Sequence, residues 1–111
     1  MGELATVDVV ADGGLLRAGV RGELDAASVP LVRARLVEAL ATAETGLVLD
    51  LSAVTFMDSA AVELMFDLRE RLAGHGMRLT LVVPAGAPIR RTLEVTDGGQ
   101  GLLELVEPPA T

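Results

Sequence analysis

The feature that most constrains the fold is an aliphatic run in the middle of the chain. Four of the five residues in the stretch Leu47–Leu51 are leucine or valine, and the fifth is Asp50. A short, nearly continuous aliphatic run is typical of a central β-strand that is covered on both faces. We therefore expect a buried strand over residues 48–51, followed by a short loop over residues 52–57.

A helical pattern follows this loop. Apolar residues recur at intervals of three and four, at Ala61, Leu64, Met65, Leu68 and Leu72. This spacing places them on one side of an α-helix, and we expect the helix to begin at Asp58-Ser59. Ser59 then lies at the helix end where the first backbone N–H groups lack partners and the helix dipole is positive.

The residue pair Asp58-Ser59 has three interpretations at this point. Either residue can simply cap the helix, which is the usual role of Asp and Ser at a helix start. Ser59 can instead accept a phosphoryl group, whose negative charge a helix N-terminus favours. Catalysis by Ser59 with His75 as its base is disfavoured, because His75 follows the far end of the same helix, about 20 Å away at 1.5 Å per residue. We therefore expect no catalytic residues and no enzymatic activity.

The composition narrows the class of protein further. The chain of 111 residues is long enough for one domain with a hydrophobic core. Phe56 and Phe66 are the only Phe, Tyr or Trp residues of the chain, so the core must be aliphatic. The formal net charge is −7, and the nine basic residues, all arginine, are scattered along the chain. A protein that binds nucleic acid by stacking bases on aromatic rings and neutralising phosphates is therefore disfavoured.

Residues that hold metals or form disulfides are scarce. The chain has no cysteine and one histidine, so we expect no disulfide, no metal site and no cofactor. No run of 18 apolar residues occurs, and the first residues lack the pattern of a secretory signal. We expect a cytoplasmic protein that does not contact a membrane.

The first half of the chain predicts a hairpin and a helix. Strand-like runs over residues 6–10 and 15–20 are joined by Asp12-Gly13, a strong hairpin-turn signal. The segment Gly22–Asp25 is expected to leave the sheet, and Ser28 to cap a helix. The apolar stripe of that helix consists of Val29, Val32, Leu36 and Leu40.

The second half predicts two further strands and a short helix. Gly74 is expected to end the second helix in the left-handed conformation. A strand over residues 78–83, a helix from about Pro88 and a glycine-rich loop over residues 96–101 follow, and residues 102–106 form a last, short strand. The alternation of strands and helices after a hairpin indicates an α/β fold with a mixed sheet of four to five strands and helices packed mainly on one face.

Two motifs connect the chain to a known family. Leu49-Asp50-Leu51 followed by Val54-Thr55-Phe56-Met57-Asp58-Ser59 resembles the signature of the STAS domain of bacterial anti-sigma factor antagonists. Gly22-Glu23-Leu24-Asp25 resembles the second motif of that family. The resemblance covers nearly the whole chain and implies a single STAS domain over residues 1–111, with residues 107–111 as a flexible tail.

The resemblance also implies a function. In this family the serine after the aspartate is phosphorylated by a partner kinase that is itself the anti-sigma factor, which puts phosphorylation on Ser59. It implies a partner-binding surface, formed by Asp25, Asp58, Ser59, Ala60, Ala61 and Val62. The partner supplies ATP and magnesium, so no cofactor is expected in this chain. Ala60-Ala61 departs from the family pattern, which usually has Ser or Thr followed by Gly.

Two alternatives remain open. The chain could instead be a STAS-fold subunit of a membrane transport or stressosome-like complex, which docks through the same surface with the serine unmodified. Val62 and Phe66 flank the main apolar stripe of the second helix, and they either widen its core face or form an apolar patch for a partner. We expect a monomer or a weak dimer.

Overall fold

Residues 5–109, which the computed structural model describes, form five strands and three helices. The strands are β1 (Thr6–Asp12), β2 (Leu15–Leu24), β3 (Gly46–Met57), β4 (Arg78–Val82) and β5 (Glu104–Val106). The helices are α1 (Val29–Leu40), α2 (Ser59–Ala73) and α3 (Pro88–Asp97). Residues 110–111 of the expected tail lie outside the described part of the chain.

The strands form one mixed sheet in the order β1-β2-β3-β4-β5. The hairpin pair β1–β2 is antiparallel, and its turn contains Gly13 and Gly14, both with positive φ. The other three strand pairs are parallel, and each helix connects one strand to its next neighbour in the same direction. Crossovers between neighbouring parallel strands are nearly always right-handed, and this places the helices on one face of the sheet. The mixed five-stranded sheet with its three helices confirms the predicted fold class.

The core lies between the sheet and this helical layer. Along β2, Leu16, Ala18 and Val20 are buried, whereas Arg17 and Arg21 are exposed on the opposite face. The five residues of the predicted stripe of α2 are all buried: Ala61, Leu64, Met65, Leu68 and Leu72. The aliphatic core that the composition predicted is confirmed.

The two flanking residues of α2 belong to the core face. Val62 is buried, and Phe66 is partly buried and packs against the core cluster. The first interpretation of this pair, a widened core face, therefore fits better than an exposed apolar patch. In α1, Val29, Val32 and Leu36 are buried as expected, and Leu40 is only partly buried.

The predicted loop over residues 52–57 is wrong, because β3 continues to Met57. Its parallel pairing with β2 extends until Met57 lies opposite Leu24, so the segment 22–24 also stays in the sheet instead of leaving it. Two register shifts interrupt this pairing. An extra residue in one strand reverses the alternation of buried and exposed side chains, and the two-residue period is lost at these points.

Smaller differences concern the ends of elements. Gly74 has φ −62° and is right-handed, while Gly76 in the following turn takes the positive φ of 70°. The helix α3 includes Thr96 and Asp97, which were expected in the loop, and β5 begins at Glu104, two residues later than expected. The strand β4 ends at Val82, one residue early.

The glycine-rich loop after α3 is held by one carboxylate. Asp97 accepts hydrogen bonds from the backbone N–H groups of Gly101, Leu102 and Leu103, at 2.7, 2.8 and 3.1 Å. Burial opposes the charge of this carboxylate, but hydrogen bonds from backbone N–H groups of residues 100–103 outweigh that effect and hold its pKa below the usual range. The loop is therefore an ordered connection, with Gly98 as the left-handed cap of α3.

Candidate partner-binding site at the ends of β2 and β3

The carboxyl ends of β2 and β3 lie side by side. Leu24 and Met57 are register partners, and the N–H of Asp58 donates a hydrogen bond to the carbonyl oxygen of Leu24 at 3.2 Å. Asp25 and Asp58 follow directly after these strand ends. The structure therefore brings Asp25 to the same edge of the sheet as the N-terminus of α2, as the sequence implied.

Asp58 is the N-cap of α2. Its Oδ1 atom accepts hydrogen bonds from the N–H groups of Ala60 and Ala61, at 3.0 and 3.2 Å. Its Oδ2 atom accepts a third, from the N–H of Ala26 at 3.1 Å. Of the two predicted capping residues, Asp58 thus carries the capping role, and it also fixes the loop after β2 against the start of α2.

Ser59 is the first residue of α2, and its side chain is exposed. Within residues 5–109 its hydroxyl takes part in no hydrogen bond to another protein group, and the N–H groups of Ala60 and Ala61 donate to Asp58 instead. The hydroxyl is therefore open to a second molecule, which a phosphoryl acceptor requires. Phosphorylation of Ser59 itself stays a prediction.

Asp25 forms a compact turn with Ser28. Its Oδ1 atom accepts hydrogen bonds from the N–H groups of Ala27 and Ser28, each at 3.0 Å. The buried hydroxyl of Ser28 accepts a hydrogen bond from the N–H of Asp25 at 3.0 Å and donates to the carbonyl oxygen of Glu23, 2.8 Å away. The side chain of Asp25 is thereby held at the surface in one orientation.

The prediction that the side chain of Ser28 caps α1 is wrong, although Ser28 does occupy the N-cap position. It has helical backbone angles and makes no side-chain capping bond. Its hydroxyl instead stabilises the turn that presents Asp25. Nothing in the local sequence indicates this role, because a serine that precedes a helix can either cap the helix or stabilise the preceding turn.

The three residues after Ser59 differ in how far a partner could reach them. Ala60 is partly buried, Val62 is 7% exposed and Ala61 is fully buried. The methyl group of Ala61 packs into the core, so it does not obstruct a partner at this surface. The departure from the family pattern at Ala61 therefore leaves the approach to Ser59 open.

A shallow depression of about 400 Å³ lies next to Ser59. It lies between the start of α2 and one side of α3, and its lining consists of Met57, Asp58, Ser59, Val62, Glu63, Thr92 and Thr96. The contribution of α3 was not predicted, because nothing in the local sequence shows that the third crossover brings its threonines next to Ser59.

His75 lies beyond the opposite end of α2, exposed in the turn that follows Ala73. Its Nδ1 atom is 3.1 Å from the carbonyl oxygen of Arg71. Ser59 and His75 are thus not brought together as a nucleophile and its base. No helix within residues 5–109 is long and apolar enough to cross a membrane.

Comparison with known proteins assigns this chain to a family. The model of the STAS domain matches residues 6–99. No curated protein sequence matches the chain. Among solved structures, an anti-sigma factor antagonist from Mycobacterium paratuberculosis is similar, with 28% identity, a TM-score of 0.81 and coverage of 95% of this chain and 86% of that one.

Two further structures share the fold. SpoIIAA, an anti-sigma factor antagonist in its unphosphorylated form, is 20% identical, with a TM-score of 0.71 and coverage of 94% of this chain and 90% of that one. The murine anion transporter Slc26a9 is 18% identical over 86% of this chain but only 16% of its own, with a TM-score of 0.70. The chain belongs to the STAS domain family.

Proposed function

We propose that this chain is an anti-sigma factor antagonist that binds an anti-sigma factor kinase while Ser59 is unphosphorylated. Phosphorylation of Ser59 by that kinase ends the complex. The observation that carries the proposal is the position of Ser59, exposed as the first residue of α2 with its hydroxyl free of protein partners within the described part of the chain. The similarity to the antagonist from Mycobacterium paratuberculosis, over most of both chains, supports the same role.

The helix N-terminus explains why a phosphoryl group is tolerated within the protein. Phosphorylation adds a charge of about −1.5 to −2 and three strong acceptor oxygens. The positive end of the α2 dipole offsets part of this charge. Asp58 and Glu63, which line the same depression, repel it, so the phosphate is expected to point outward into solvent.

The same charge acts differently once a partner covers the surface. A phosphate at a docked interface must lose its water or face the partner's own charges, which costs several kcal/mol. Since each 1.4 kcal/mol changes affinity tenfold, one modification can weaken the complex about a thousandfold. A switch of this kind needs no movement of the backbone of α2.

Asp25 is proposed as a second contact for the kinase. It lies at the same edge as Ser59, and its turn holds the carboxylate at the surface. We expect it to pair with a basic residue of the kinase. Because the turn already restricts the conformation of Asp25, little conformational entropy is lost on binding, which favours affinity.

Incubation with an anti-sigma factor kinase, ATP and magnesium tests the proposal. We expect the mass of the peptide containing Ser59 to rise by one phosphoryl group, and the Ser59→Ala variant to stay unmodified. A kinase that forms a stable complex without ever modifying Ser59 would favour the alternative, a docking module of a larger complex. The shared fold with a domain of Slc26a9 is compatible with that alternative but supports only the fold.

A further inference from the structure

We propose that α3 supplies the second half of the docking surface, and that the kinase inserts an apolar side chain, flanked by a basic group, between α2 and α3. The surface comprises Ser59, Val62 and Glu63 of α2 with Thr92, Val95 and Thr96 of α3, and is called the α2–α3 groove below. This inference rests on the proposed function and extends it to a helix outside both sequence motifs.

The first observation is the shared depression. Thr92 and Thr96 are four residues apart, so they lie on one side of α3, and both line the depression that begins at Ser59. The adjacent side of α3 packs against the core through Ile89 and Leu93, which are 3% and 0% exposed. The wall formed by α3 is therefore held in place before any partner arrives.

The second observation is the exposure of Val95. Its side chain is 69% exposed, the highest value among the large hydrophobic residues of the described chain that lie at the surface. Val95 is the i+3 neighbour of Thr92 on the helix surface, on the side of Thr92 that faces away from Thr96. The groove thus has the nearly buried Val62 at its base and the exposed Val95 at its edge next to Thr92, which suits an aliphatic or aromatic side chain of a partner.

The third observation is the charge of the groove. Asp58 and Glu63 line the depression, and no basic side chain does. Glu63 takes part in none of the ion pairs within residues 5–109. A basic group beside the inserted apolar side chain would complement this charge. Such complementarity raises the association rate more than it raises the affinity.

The same charge argues against other occupants. A second copy of this chain carries a formal charge of −7, so two acidic surfaces would meet. The surface of an anionic membrane is repelled for the same reason. A basic face of a protein partner is the occupant that the groove fits.

Two matched substitutions test the role of Val95. Val95→Arg places a large, charged side chain on the rim of the groove, and Val10→Arg places the same side chain at a position on β1 that is 61% exposed. The affinity of each variant for a purified anti-sigma factor kinase from the organism that carries this chain is measured by calorimetry. We expect Val95→Arg to weaken binding about tenfold or more, and Val10→Arg to stay within about twofold of wild type.

A kinetic measurement tests the charge of the groove. Glu63→Gln keeps the size of the side chain and removes its charge, so we expect the association rate to fall several-fold at low salt and the difference to shrink at high salt. Wild-type affinity in Val95→Arg, or equal losses in Val95→Arg and Val10→Arg, would overturn the inference. Circular dichroism and thermal unfolding of each variant verify that it is folded.

The binding of these variants distinguishes failure of the α2–α3 groove from failure of the proposed function. If wild type binds the kinase and Ser59→Asp does not, while Val95→Arg binds like wild type, the proposed function stands and the α2–α3 groove is refuted. If wild type binds no kinase of this class, both are refuted. Loss of binding in Val95→Arg and Ser59→Asp, with binding retained in Val10→Arg, supports both.

Discussion

The carboxylate of Asp58 and the backbone N–H of Ala26 form a hydrogen bond of 3.1 Å between two segments that are 32 residues apart in the chain. The other oxygen of Asp58 caps α2. One side chain therefore sets the position of Ser59 relative to the loop that carries Asp25. In this chain Asp58 therefore has a structural role that is separate from the role proposed for the serine that follows it.

Replacing Asp58 tests this role. Asp58→Ala removes three hydrogen bonds to backbone N–H groups, and we expect the free energy of unfolding to fall by about 1–3 kcal/mol. Asp58→Asn keeps one acceptor oxygen for the helix cap, so its loss should be smaller. Urea denaturation followed by circular dichroism gives both values. Equal stability of Asp58→Ala and wild type would show that the cap contributes nothing.

Asp25 has a role in the turn and a proposed role in binding, which two substitutions separate. Asp25→Asn keeps an oxygen near the N–H groups of Ala27 and Ser28 but removes the charge. We expect it to retain most of the stability and to bind the kinase more weakly. Asp25→Ala should lose about 1 kcal/mol of stability in addition. Unchanged kinase affinity in Asp25→Asn, measured by calorimetry, would contradict a charge contact.

Gly46 begins β3 where it approaches β4. A methyl group at this position would lie 2.7 Å from the carbonyl oxygen of Arg78, which is closer than atoms of this kind can approach. We expect Gly46→Ala to lower the free energy of unfolding by about 1–3 kcal/mol, because the two strands must move apart. Gly19→Ala in β2 is the control, since nothing lies within 4 Å of its added methyl group. Similar denaturation midpoints for both variants would contradict this expectation.

Asp97 should make stability depend on pH in the acid range. Its pKa is lowered in the folded state, so its contribution is fully present above the unfolded value of about 3.9 and is lost as pH falls through the lower folded value. We expect Asp97→Asn to be less stable at pH 7 and to lose less stability than wild type on acidification. Denaturant midpoints between pH 7 and pH 2 test this. Parallel pH profiles for the two proteins would contradict it.

The sequence predicted those elements whose pattern is local. The apolar spacing from Ala61 to Leu72 identified α2 and its start, because a helix of 15 residues shows its period several times over. The end of β3 was missed because the register shifts between β2 and β3 disturb the alternation on which strand prediction depends. Gly74 was expected to be left-handed, but Gly76 in the same turn takes the positive φ, because the local sequence does not show which of two nearby glycines reverses the chain.

The candidate site was predictable in part. The family motifs pointed to Asp25, Asp58 and Ser59, and the parallel pairing of β2 and β3 accounts for their meeting at one edge. The hydroxyl of Ser28 and the wall formed by Thr92 and Thr96 were not predictable. Their contacts depend on backbone turns and on packing between elements that no single stretch of sequence encodes.

The affinity of the kinase for this chain before and after modification of Ser59 tests the central claim most directly. Unmodified protein, protein fully phosphorylated on Ser59 and the Ser59→Ala variant are titrated against the same purified kinase by calorimetry. We expect the unmodified protein and Ser59→Ala to bind alike, and the phosphorylated protein to bind about a thousandfold more weakly. Equal affinities of the phosphorylated and unmodified proteins would contradict the switch.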